Sequence, residues 1–161
     1  MAEAEKAKRK ELGEFMSSVC FKAAIVGMEE ALGESTAAVA MIAAGRQRGK
    51  RLAESFDLVG KGQNLSFEEF TQTFRDALGV EGTRLCIVDK LESFDDGYRV
   101  YARETVCSAG EEEGALRNCS YTMGALQGFL EACLSRKLRG KHVESVLRGS
   151  DYDLLEFTYR D

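Results

Sequence analysis

The sequence predicts an α+β domain in which a four-stranded antiparallel sheet packs against helices. Apolar residues recur three and four apart through much of the first half and again over residues 121–137, the mark of amphipathic helices. Two pairs of short apolar or alternating segments flank Asp95-Asp96-Gly97 and Gly149-Ser150-Asp151, the mark of two hairpins. The 161 residues suit one domain over residues 1–161 with a core of its own, and 44% hydrophobic and 30% charged residues is a globular composition.

The first helix is expected over Lys6 to Leu32, because Leu12, Phe15, Met16, Val19, Cys20, Ala23 and Val26 fall on one face. Gly33 stops it, and Ser35 or Thr36 offers a cap to a second helix over 36–58. That helix begins small and apolar (Ala37 to Ala44) and turns basic at Arg46, Arg48, Lys50 and Arg51. After a loop at Gly60 to Asn64, Ser66 and Glu69 form a capping box for a third helix, with Phe67, Phe70, Phe74 and Leu78 as its stripe. A strand is expected over 83–90. It turns through Asp95-Asp96-Gly97 into a half-buried strand from Tyr98 toward Cys107. Gly110 to Gly114 reads as a solvated acidic loop. Asn118 or Ser120 caps a fourth helix over 121–137, in which Gly124 and Gly128 admit a neighbouring backbone. Closing strands are expected over 142–148 and 152–160.

The formal net charge of -5 argues against a nucleic-acid partner. The polar stretch Met1 to Lys10 lacks the apolar run of a secretory signal, and Val19 to Met28 is too short to cross a bilayer. The expected location is therefore cytoplasmic, with peripheral contact to a membrane surface left open. An odd set of five cysteines without a Cys-x-x-Cys pair predicts reduced thiols and no structural zinc site.

Gly45 to Lys50 fails as a phosphate loop on spacing, so its basic cluster reads as a solvated face or as the partner of an anionic group such as a lipid headgroup. His142, the single histidine, has no serine or carboxylate companion in any motif. Cys107 and Cys119 flank the acidic loop, where they could meet each other or a metal; isolated cysteines are more often small buried hydrophobes. Phe70, Phe74, Tyr101, Tyr121 and Phe129 belong to an aromatic set that can wall an apolar pocket or simply fill a core that has no Trp.

Two stretches carry a family likeness: Ala44 to Phe56 with the following Gly loop, Ser66-Phe67 and Ala77-Leu78-Gly79-Val80; and Cys119 to Glu131 with Val143 to Gly149 and the last strand. Together they resemble the vinyl-4-reductase (hydrocarbon-binding) domain and the TRAPP small subunits that share its fold. The resemblance implies an apolar channel and a dimer formed through helices, with itself or with a related domain. It implies as ligand a lipid or a tetrapyrrole such as a bilin or chlorophyll precursor, held in photosynthetic complex assembly. Asn64 stands where the TRAPP-like acylated cysteine would fall, and Leu147 and Leu155 stand where relatives carry further cysteines. The reading is a non-catalytic binding module with Phe70, Phe74, Tyr101, Cys107, Cys119, Tyr121 and Phe129 as ligand-binding residues and no metal. Its alternatives are a ligand-free assembly factor acting through a helical dimer face, and an accessory to a vinyl reductase.

Overall fold

Ser17 starts the first helix: its side chain accepts a hydrogen bond from the Val19 amide, capping α1 (Ser18–Leu32). The structure, a computed structural model, describes residues 9–161, so the expected helix start at Lys6 and the reading of residues 1–8 lie outside it. Helix is absent over 9–17, where Gly13 takes φ 69° and the apolar spacing of Leu12, Phe15 and Met16 has no helix to express it. Gly33, at φ 83°, separates α1 from α2 (Glu34–Ser55) without a side-chain cap, two residues before the expected start.

The capping box of α3 (Phe67–Leu78) forms as predicted, with Glu69 N–H donating to Ser66 and Ser66 N–H donating to the Glu69 carboxylate. Phe67 departs from the expected stripe and lies exposed, whereas Phe70, Phe74 and Leu78 are buried.

Strand β1 (Ile87–Phe94) begins four residues later than expected, because residues 79–86 first wrap the end of α3 through amide bonds to Ala77, Leu78 and Gly79 carbonyls. It pairs with β2 (Gly97–Arg103) across the Asp-Asp-Gly turn, Phe94 facing Gly97. The alternation is as read: Val100 and Ala102 are buried, while Arg99 and Tyr101 face outward. The strand stops at Arg103 rather than Cys107, because Glu104 adopts a left-handed φ of 53°.

Helix α4 (Ser120–Leu134) ends early at the left-handed Ser135. Strand β3 (Leu138–Glu144) follows, four residues ahead of the expected start, and a 3-10 turn occupies Val146–Arg148 instead of strand. Gly140, expected beyond the helix end, lies inside β3 against Met123 and Phe157. Strand β4 (Asp153–Tyr159) closes a fully antiparallel sheet of order β1-β2-β4-β3. The predicted α+β class is thus the observed one.

Helix α4 is the axis of the molecule, buried on nearly every side between the sheet and α2. Its glycines make this geometry. A Cβ on Gly124 would lie 2.3 Å from the Ile42 carbonyl oxygen and one on Gly128 2.0 Å from that of Arg46. Reciprocally, Gly45 and Gly49 of α2 meet the Tyr121 and Ala125 carbonyls. The neighbouring backbone that Gly124 and Gly128 were expected to admit is therefore α2 of the same chain. Arg46 then locks the two helices through a bidentate pair with the buried Glu131, whose carboxylate also accepts from the Leu138 amide of β3 at 2.9 Å.

Candidate functional site

Two features are built where β2 ends and α4 begins. The first is a groove of about 770 Å³, open to solvent and mostly apolar. It is lined by Phe15 and Met16 ahead of α1, Phe21 of α1, Leu52 and Phe56 at the end of α2, and Leu85, Val106 and Tyr121. Phe21 and Tyr121 pack edge to face with centroids 4.8 Å apart. Arg48 and Arg84 bring the positive charge of its lining, and Glu14 the negative.

The second is a polar cluster in the interior. Asp153, fully buried on β4, accepts from Thr105 Oγ1 at 2.9 Å and Ser108 Oγ at 2.8 Å on one oxygen. Its other oxygen faces His142 Nε2 at 3.2 Å and the Val146 amide at 3.3 Å. His142 Nδ1 accepts from the Cys119 amide, which places the ring proton on Nε2, donating to Asp153. Burial alone would raise the Asp153 carboxyl, but the bonds from His142, Ser108 and Thr105 outweigh it and hold the group at about 2.

Both flanking cysteines join this cluster. Cys119 Sγ lies 3.4 Å from Thr105 Oγ1, and Cys107 Sγ 3.9 Å from Thr122 Oγ1. They titrate apart. Cys107 is drawn below the ordinary thiol range by the hydrogen bond with Cys119, then by Thr122 and Lys22, against its burial. Cys119 is pushed far up by Cys107, burial and the Asp153 charge. Lys22 reaches from α1 to donate to the Cys107 carbonyl at 2.6 Å and pairs with Glu111 at 2.7 Å. The acidic loop is thus anchored at Glu111 rather than wholly solvated, with Arg117 bridging Glu111 to Glu29.

Cys119, His142 and Asp153 present one sulfur, one nitrogen and one oxygen within 4.8 Å of one another. This mixed set is of the kind that binds a borderline cation such as Zn²⁺, which would have to displace the Cys119 proton and also the His142 Nε2 proton that Asp153 accepts. His142 has no companion in any sequence motif; the fold supplies Asp153 across the closing hairpin. The signal was present in the period-2 reading of β4, where Asp153, Leu155 and Phe157 share the buried face.

The residues named from sequence as one ligand site fall in four places. Tyr121 lines the groove, and Cys107 and Cys119 enter the polar cluster. Phe70, Phe74 and Phe129 pack on one another in the core, Phe74 and Phe129 with centroids 5.3 Å apart and no exposed surface. Tyr101 lies on the opposite face of the sheet, donating to Glu92 and edge-on to Tyr152. Phe70, Phe74 and Phe129 thus fill by their own packing the space that they were expected to wall around a ligand. The groove opens instead beside the start of α1. The chain links it to the polar cluster, since Val106 and Tyr121 in the groove precede Cys107 and Thr122 in the cluster.

Among the described residues no helix is long and apolar enough to cross a membrane. No family model matches the chain, and no curated protein does. Among solved structures it is similar to the phenol-responsive sensory domain of the transcription activator PoxR, crystallised with phenol. The TM-score is 0.68 at 16% identity, over 96% of this chain and 84% of that one. At that identity the likeness establishes a shared fold.

Proposed function

We propose that this domain is a non-catalytic binding module that holds a small apolar ligand in the groove beside α1. The observation that carries the reading is the groove itself: about 770 Å³ walled by Phe21, Leu52, Phe56, Leu85, Val106 and Tyr121. Its size lies within the range of small-molecule and cofactor sites. Apolar area removed from water there contributes about 25 cal/mol per Å², so an occupant the size of a lipid chain or a tetrapyrrole gains several kcal/mol. That the similar PoxR domain was crystallised with phenol supports a small-molecule role for the architecture. A bilin or chlorophyll precursor, or a lipid, is the specific ligand we advance, with photosynthetic complex assembly as its setting. The test is the absorption spectrum and solvent-extract mass spectrum of protein purified from its native cell. A colourless, ligand-free protein that takes up neither added pigment nor lipid refutes the proposal.

A second reading, pairing with another copy or a related domain, draws on a different observation. Val19, Ala23, Gly27 and Ala31 of α1 and Val39, Ala40 and Ala43 of α2 are exposed, so the outer helical face is small and apolar. Light scattering at micromolar concentration distinguishes a dimer from a strict monomer.

A further inference from the structure

We infer that the groove selects an amphiphile with an anionic head, a carboxylate or phosphate carried on an apolar body. The inference rests on the groove being a ligand site. Within an acidic chain, the groove concentrates, among the described residues, two guanidinium groups against a single carboxylate, that of Glu14. Arg48 projects from α2 beside Tyr121, near enough for its charge to act on the phenol. Arg84 lines the same groove from the loop after α3, its guanidinium carbon 4.9 Å from the Phe15 ring centroid and its Nε donating to the Val80 carbonyl at 3.3 Å. Neither forms an ion pair among the described residues, in contrast to Arg46, Arg99, Arg103 and Arg117.

The backbone at Arg84 is held in the left-handed region at φ 53°, a conformation that bulky residues adopt only where their surroundings impose it. Here the imposing contacts are the amide bonds from Arg84 to Gly79 and from Leu85 to Leu78, which fix the loop against α3. The result is a charged guanidinium preset at an apolar opening. A guanidinium is a planar fork that matches carboxylate and phosphate oxygens, and two lining one groove favour an anionic head over a neutral one. The basic stretch of α2, in which Arg46 is already committed to Glu131, thereby gains a second role at Arg48.

The experiment is displacement of the neutral fluorophore N-phenyl-1-naphthylamine by dodecanoate, dodecyl phosphate and dodecan-1-ol, on the full chain at low salt. The expected result is that both anions compete about tenfold more tightly than the alcohol, a difference of ~1.4 kcal/mol. The preference, read as the ratio of anion to alcohol affinity within one protein, disappears in the double variant Arg48→Gln/Arg84→Gln, with a thermal melt as the check that it folds. Both side chains are exposed, so the double variant keeps the fold. Equal competition by alcohol and anions overturns the head-group inference and leaves the groove reading standing. Failure of the fluorophore and all three amphiphiles to bind overturns both.

Discussion

Asp153→Asn removes one charge from the centre of the polar cluster while keeping its shape. Four donors converge on the two carboxylate oxygens: Thr105 and Ser108 on one, His142 and the Val146 amide on the other. An amide can present only one oxygen, so one pair of donors meets an N–H group in every orientation. The magnitude follows from the pKa. The carboxyl lies at about 2 in the folded chain against 3.8 ordinarily, which stabilises the fold by roughly 2 kcal/mol at neutral pH. Because the folded pKa is depressed, this contribution is complete above pH 4–5 and is lost as the pH falls through 3.8 toward 2. Urea unfolding of both proteins at several pH values is the assay. The expected outcome is a gap of about 2 kcal/mol at pH 7 that closes toward pH 2. Equal stability at pH 7, or a gap that persists undiminished at pH 2, refutes the reasoning.

Other consequences are as direct. Gly128→Ala places a methyl against the Arg46 carbonyl and is expected to destabilise by about 3 kcal/mol through forced separation of α2 and α4. Gly27→Ala, where a methyl meets no atom within 4 Å, is expected to stabilise α1 by up to about 1 kcal/mol; thermal melts compare the two. Glu131→Gln leaves Arg46 without its bidentate partner. An expected loss of about 2–3 kcal/mol, lower than for a wholly buried pair because Arg46 keeps some solvent contact, is read by chemical denaturation. Zn²⁺ is expected to raise the melting temperature with release of a proton, and to do so in neither Cys119→Ser nor His142→Ala. Calorimetry in buffers of different ionisation enthalpy counts that proton.

What could be read in advance follows the range of the interactions. The α3 capping box, the Asp-Asp-Gly hairpin and the alternation of β2 are local, and all three stand where the sequence put them. Gly124/Gly128 announced a close approach, but only the fold says that the approaching backbone is α2. Start and stop positions failed where a non-glycine residue turned left-handed, as at Glu104 and Ser135, because no side-chain signal marks those turns. The His142–Asp153 contact was missed because it joins residues eleven apart across a hairpin whose register shifts between His142 and Glu144. The aromatic wall failed for a different reason. Residue type distinguishes neither a ring packed on other rings from one facing a space, nor, for Tyr101, which face of the sheet it takes until strand phase is known.

The central claim, that the groove beside α1 is a ligand site, is tested most directly by titrating N-phenyl-1-naphthylamine against the full chain and against Phe56→Asp. Phe56 lines the groove yet is 42% exposed, so the substitution leaves the core intact. The account predicts saturable, roughly equimolar enhancement of the probe's emission by the unaltered protein, with affinity falling at least about tenfold in the variant. No enhancement by the unaltered protein, or equal binding by both, contradicts it.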